Sequence, residues 1–423
     1  MKDSIHTQVL VVGGGPAGAS TAWHLASGGL DVTLVDRAHF PRDKPCAEYL
    51  SPECARILSS MGALSTIENA GAAQLSGMLI KTPSGSAIRG EFVASHGFRG
   101  FRDRGLALPR TKLDAILLRS ARDAGVNVIE GAKVEQILTD GPSQCVGAVV
   151  RVNGGLKEFR AKLVIGADGL RSVVARRLKL TDRNKWPRRY ALVAHYRNVA
   201  NIGTLGEMHV TRNGYLGLAD VGNGLVNVAL VLPRKRGENL AQSPDQLLTG
   251  WIGAHFELSR RFVGAERVGG VRVTGPFASH AKRAWTSGAA LVGDAAEFFD
   301  PFTGEGIYAA LRGGELLAPF ASEAAKAANH ARSAHALNAY HDARTRVFAG
   351  KWRVEKLIGL CVAYPWLLER AATILQRDRS LADLLVGVAG DFVPPRELLR
   401  LSVLRRLISS PPNLPPLPHA HRS

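Results

Sequence analysis

The 423-residue chain has little cysteine: Cys46, Cys54, Cys145 and Cys361, with no C-x-x-C pair and no metal-ligand spacing. A disulfide scaffold is not expected, no metal site is read, and the usage fits a reducing, cytoplasmic compartment. Long apolar runs are missing as well. No stretch reaches the ~18 apolar residues that a transmembrane helix needs. The opening MKDSIHTQVLVVGGGPAG runs from a short apolar stretch straight into glycines, without the small-residue cleavage site of a signal peptide. The protein is expected in solution, or peripheral on the inner surface of a membrane. Acid is scarce: 36 Asp and Glu stand against 54 Lys and Arg, giving a net charge of +18. That balance favours anionic partners such as phosphate-bearing cofactors or lipid surfaces. Nucleic acid is not expected, because the cations are scattered and carry no zinc-finger, RRM or KH signature. There is no G-x-S-x-G elbow and no internal repeat.

What is present is glycine, 45 residues of it, and it falls at three junctions. The first is Gly13-x-Gly15-x-x-Gly18. It follows the β-rich run QVLVV (residues 8–12) and opens a helix that stops at Gly28–Gly29. DVTLVD (residues 31–36) is a second buried strand, so the chain begins with a βαβ unit. In such a turn the first glycine permits a tight bend, the second lets backbone approach a pyrophosphate, and the third lets helix pack on strand. An acid at the end of the second strand, here Asp36, bonds ribose hydroxyls. Pro16, Ala17 and Arg37 fall in the same cofactor-binding set. The second junction is IGADGLRSVVARRL, where a buried strand ends in Asp168–Gly169 before a helix. The third is ALVGDAAEFFDPFTGEGI, where a strand ends at Gly293–Asp294 and a glycine loop leads into another helix.

These three motifs, in this order, resemble the FAD-dependent monooxygenases and reductases of the p-hydroxybenzoate hydroxylase fold, over roughly residues 5–330. The resemblance implies FAD as the cofactor, with Asp294 bonding the ribityl hydroxyls. Pro301, Gly304, Glu305, Gly306 and Ile307 would bring backbone N–H groups, at a helix N-terminus, to the pyrimidine edge of the flavin. Oriented dipoles of this kind stabilise negative charge there by about 1 kcal/mol or more. Asp168 and Gly169 join the cofactor set, Arg110 would reach the flavin or ribityl chain, and Val134 would offer backbone to the adenine. PRDKPCAEYLSP (residues 41–52) and DPFTGEGIYAALRGGELLA look most like the geranylgeranyl-reductase-like branch. Lys44 and Cys46 match it, whereas Ala47 replaces its usual glycine. Glu297 and Ile307 stand where monooxygenases often have His and Asn. The branch's Y-x-W-x-F-P strand is replaced by GYLGLADVGNG.

For chemistry beyond the cofactor the candidates are few. The Cys46 thiol is read either as a group near flavin or substrate, tuned by Lys44 or Arg42, or as a small buried hydrophobe. Glu297 and Asp300 are proton donors if burial raises their pKa, and otherwise solvated loop acids. His195 and His209, in the strand-rich part, are read as structural.

The expected fold is α/β. A Rossmann-like FAD-binding domain (GR2 type) covers 1–60, 101–180 and 275–330. An inserted antiparallel β substrate domain covers 61–100 and 181–274. A helical C-terminal region follows at 331–408, then a Pro-rich tail at 409–423. FAGKWRVEKLIGLCVAYPWLLERAATILQRDRSLADLLVGV and PRELLRLSVLRRLI set apolar residues beside Arg and Lys at helical spacing, as in Leu398, Leu401 and Val403 with Arg400, Arg405 and Arg406. They read as basic amphipathic helices for a membrane surface, as a lid, or as a packed extension. The expected function is FAD-dependent oxidoreduction of a lipophilic small molecule, with C=C reduction of a prenyl or quinone-like substrate favoured. The alternatives are NAD(P)H- and O2-dependent hydroxylation of an aromatic or polyketide-like ring, and a flavin electron carrier. With no second G-x-G-x-x-G, NAD(P)H would visit transiently as electron donor. The sequence sets neither the substrate nor the oligomeric state.

Overall fold

In a computed structural model, residues 4–141, 144–183, 189–233, 243–277, 279–298 and 300–408 are described. The Pro-rich tail falls outside them. The strand Ser4–Val12 lies at the centre of an eight-stranded sheet. It pairs in parallel with Gly155–Gly166 on one side and Val32–Val35 on the other. Both faces of these strands are covered, so they read as continuous Val/Leu/Ile runs rather than alternating ones. Two glycines fix how the first helix, Pro16–Ser27, leaves the sheet. Gly13 has φ +106°, and a Cβ there would lie 2.6 Å from the Ala167 carbonyl oxygen. A Cβ on Gly18 would lie 1.8 Å from the Gly13 oxygen. Neither position has room for any side chain.

The second large sheet has seven strands, in the order 266–274, 189–197, 226–233, 214–220, 205–211, 77–81 and 87–91. It is antiparallel except that Leu205–Thr211 runs parallel to Gly77–Lys81. Alternation with period two divides its side chains between two cores. Ala191, Val193, Met208, Tyr215 and Val231 face one way. Leu192, Ala194, Leu216, Val228 and Leu230 face the other, against helix Pro244–Gly253. The central strands are thus buried on both faces, while the edge strand Glu266–Thr274 is largely exposed.

The C-terminal helices close over one edge. Pro365–Arg377 and Arg379–Ala389 pack on strand Ala87–Glu91. They approach so closely that a Cβ on Gly90 would lie 2.6 Å from the Ala382 oxygen. The segment Leu401–Ile408 is fastened to the body: Val403 is buried, Arg400 Nε pairs with Glu397 at 2.7 Å, and Arg406 Nε bonds Asp378 at 2.9 Å. Among the described residues no single helix is long and apolar enough to cross a membrane.

Candidate active site

Between the two sheets lies a cavity of about 1520 Å³, counted out to its open mouth. One end is polar. The helices Pro16–Ser27 and Gly306–Lys326 both begin on it, and neither N-terminus has a side-chain cap. Uncapped first turns present free N–H groups and partial positive charge. At Gly15 the space a Cβ would take is bounded only by two guanidinium tips, Arg42 at 3.4 Å and Arg110 at 3.7 Å. Both arginines are held by one carboxylate: Asp114, fully buried, takes Arg110 Nε and Nη2 at 2.7 and 2.8 Å and Arg42 Nη1 at 3.1 Å. Burial alone would favour neutral Arg110, but Asp114 and Cys46 beside it outweigh that and keep it charged. Two cations against one anion, at a helix N-terminus beside bare backbone, suit a diphosphate.

The flavin fit is tested further along the same wall. Asp294 lines the cavity, yet its carboxylate accepts no hydrogen bond from the described residues. Burial pushes its pKa up, while the charges of Lys44 and Arg110 hold it back. It is an acceptor set for hydroxyls that the protein itself does not supply. Lys44 is lowered by burial and then by the charge of Arg110. Gly304 has φ +71° and lies against Tyr49, and a Cβ on Gly306 would meet nothing nearer than Phe298 at 3.6 Å. Pro301, Gly304, Gly306 and Ile307 all face the cavity, as do Pro16, Ala17, Lys44, Cys46, Ala47 and Gly169. These residues fit FAD.

Other expected residues are placed differently. Asp36 fastens the first loop, accepting from Gly14 N at 2.7 Å and Ala38 N at 2.8 Å. Arg37 is exposed. Asp168 turns from the cavity: Oδ2 accepts from Val173 N at 2.6 Å, and buried Oδ1 has no partner. Val134 is buried in a ladder opposite Val150. The Glu305 side chain points behind the loop, where Lys351 Nζ lies 2.8 Å away.

Glu297 is a correction. It lies on a two-residue strand, Glu297–Phe298, whose side chains point to opposite faces. Phe298 takes the cavity face. Glu297 lines a separate pocket behind the loop, 3.0 Å from His280 Nδ1 and 3.3 Å from Arg344 Nη2. It is not positioned to protonate anything in the cavity. Asp300 is also engaged elsewhere, by Tyr215 Oη at 2.7 Å and Arg189 Nη1 at 2.8 Å.

Cys46 does reach the cavity, and the Arg110 guanidinium lies beside it. Its Sγ accepts from Glu48 N at 3.3 Å. Glu48, almost fully buried with φ +61°, ties the two halves of the protein together. Its carboxylate accepts from Arg110 N at 2.7 Å on the cofactor side. From the second sheet it accepts from Asn227 Nδ2 at 2.9 Å and His195 Nε2 at 2.6 Å. Asn227 also bonds the Cys46 carbonyl at 2.9 Å. Burial alone would lower the His195 pKa, but the Glu48 carboxylate reverses this and the net shift is upward. His209 is paired with Glu207 at 2.8 Å.

Sequence reasoning missed Asp114, Glu48 and Asn227. Asp114 had a signal: it stands four residues after Arg110 on one helix, the spacing of a paired face. Glu48 and Asn227 had none, since their partners come from distant segments.

The other end of the cavity is apolar. It is walled by Ala191, Met208, Gly217, Ala219, Ala229 and Val231 from the second sheet, with Met78 and Phe277. Several of these are small, and the space they leave is what gives the chamber its size.

Residues 6–193 match the family model described as an FAD binding domain. The chain is 31% identical over 330 residues to digeranylgeranylglycerophospholipid reductase 2 of Methanopyrus kandleri, covering 75% of this chain and 77% of the relative. It is 27% identical over 415 residues to the menaquinone reductase of Mycolicibacterium smegmatis, covering 91% of each. The fold is shared with a solved flavin-dependent brominase, at a TM-score of 0.77 and 20% identity over 92% of this chain and 94% of the other.

Proposed function

From the premise that the chain belongs to the FAD-dependent oxidoreductases of the p-hydroxybenzoate hydroxylase fold, on their geranylgeranyl-reductase-like branch, we propose that it reduces a C=C bond in a lipophilic prenyl or quinone-like substrate. The observation that carries this reading is the shape of the cavity. A cofactor end lined by Asp294, Lys44 and Arg110 opens directly into an apolar chamber floored by small residues. Such a chamber excludes water and takes an extended apolar chain without burying polar groups. The names of two sequence relatives, both reductases of lipids or quinones, point the same way.

Each part of the site has a role in this reading. The N–H groups at the start of Pro16–Ser27, with Arg42 and Arg110, would hold the diphosphate. Asp294 would accept from ribityl hydroxyls, and the amides of Gly304–Ile307 would serve the pyrimidine edge. When bound and reduced, FAD would supply a hydride equivalent. The chain supplies the proton, which leaves Cys46 Sγ for the second carbon of the double bond. Arg110, beside that sulfur, then stabilises the thiolate until the product leaves and solvent enters to reprotonate it. Glu48 and Asn227 fix where Cys46 sits. The test is to incubate chemically reduced enzyme with a lipid extract of its host, split it, and admit air to one half. A product heavier by two hydrogens in the airless half supports the reading. A product heavier by one oxygen, formed only with air, replaces it with hydroxylation.

A further inference from the structure

One face of the long helix His330–Ala363 serves no part of the site. Arg346, Arg353, Leu357 and Leu360 follow one another at intervals of seven, four and three residues, and Lys356 flanks them. That spacing lays them along a single side of an α-helix. Tyr364 continues the line, and the chain then turns by 110° into Pro365–Arg377, which carries Trp366, Arg370 and Arg377 outward. The large apolar members are open to solvent: Leu357 is 55% exposed, Leu360 40%, Tyr364 50% and Trp366 64%.

The charges along this stripe have one sign. Arg346, Arg353, Lys356, Arg370 and Arg377 are exposed, and none forms an ion pair among the described residues. Basic residues elsewhere in the C-terminal region differ, as with Arg400 on Glu397 and Arg379 on Glu91. The two acids of the segment, Glu355 and Glu369, face inward. Glu355 lines the pocket behind the cofactor loop. Glu369 accepts from Thr82 Oγ1 and Ser84 N, both at 2.8 Å. From 343 to 377 no exposed residue is acidic, and the exposed Asp342, one turn before Arg346, marks the end of the stripe.

We propose that this stripe is a docking surface for an anionic lipid bilayer. An aromatic pair at a helix bend, apolar residues beside it and unpaired cations around them are what a membrane interface binds. A symmetric dimer through this face would set five unpaired cations against their own copies. The helix lies on the surface rather than crossing, because its opposite side is taken: Val362 is buried, and Val354 and Ile358 pack against the core cluster that includes the cavity residues Met208 and Tyr215. The surface is therefore one helix away from the apolar chamber. This inference stands whichever reaction the cavity performs.

The full-length protein with bound flavin is floated with vesicles of phosphatidylcholine alone, or of phosphatidylcholine with one third phosphatidylglycerol. It is expected to float with the anionic vesicles and to remain behind with the neutral ones. Arg353→Glu with Lys356→Glu is expected to lower partitioning by about thirty-fold or more, at about five-fold for each cation lost. Trp366→Glu is expected to lower it independently. In each variant the flavin spectrum and thermal midpoint stay those of the parent, because every changed side chain is exposed. Failure of the parent protein to float with anionic vesicles overturns the proposal, as does a charge-reversed pair that floats equally well. A parent dimer that the same two changes turn into monomers also overturns it, and makes the stripe a self-association face.

Discussion

The two ends of the cavity are built on opposite principles. The cofactor end is made of backbone: helix N-termini, glycine turns and a few charges, each within a short stretch of sequence. The chamber end is made of side chains from strands far apart in the chain, and its main property is that many of them are small. Where backbone binds, any added side chain is an obstruction, so the sequence is constrained to glycine. Where empty volume binds, many combinations of apolar residues serve, and the sequence carries little trace of them.

This contrast predicts that damage to one end leaves the other intact. The largest effect is expected from Gly15→Val. Its Cβ meets no backbone, so the protein folds with an unchanged apoprotein midpoint. It then occupies the diphosphate position, and FAD affinity falls by about a hundred-fold or more, a loss in the range of two charge-assisted hydrogen bonds. Flavin absorbance after gel filtration reads this directly. Protein that stays fully yellow would remove the first glycine motif from the site.

Next is Asp114→Ala. It leaves Arg110 buried and strips both arginines of their shared carboxylate. Breaking a buried pair from one side costs about 3–5 kcal/mol. Denaturant unfolding should show that loss, together with weaker FAD retention. A change under about 1 kcal/mol would mean that the triad contributes little.

The chamber is probed by Ala229→Phe. This residue lines the apolar end, away from the charged wall. Flavin content is expected to stay as in the parent, while KM for a long lipophilic substrate rises by about ten-fold, on the scale of one blocked apolar contact surface. Flavin loss in this variant would show that the two ends are not separable.

The smallest effect concerns the link between them. The folded-state pKa of His195 is raised above its ordinary value, so its pairing with Glu48 adds stability that is complete below about pH 6.5. That contribution is lost as pH rises through the higher folded value. The midpoint difference between parent and His195→Gln should therefore be greatest in mild acid and shrink toward alkaline pH. A difference that grows with pH would reverse the assignment.

The same contrast explains what the sequence disclosed. Gly13, Gly18 and Gly304 announce themselves because a local turn or a close backbone approach needs them, and Gly15 and Asp294 because they stand in the same motifs. The strands of the second sheet show in runs such as RYALVAHYR and VNVALVLP, whereas their order in the sheet does not. Glu297 misled because adjacency to Asp294 in sequence says nothing of which face a strand residue takes. Asp168 misled in part, since an acid after a strand caps a helix as readily as it meets a ligand. Glu48 was silent because its partners, Arg110, His195 and Asn227, are assembled only by the fold.

If cofactor and lipophilic substrate meet in one cavity, the substrate is reduced without oxygen. The direct measurement is a single turnover in an anaerobic cuvette: the bleached, reduced enzyme is mixed with an unsaturated prenyl lipid that carries no quinone ring, and the yellow absorbance is followed. The colour is expected to return without air, with one product molecule gaining two hydrogens for each flavin reoxidised. Colour that returns only when air is admitted, with no hydrogenated product, would contradict it.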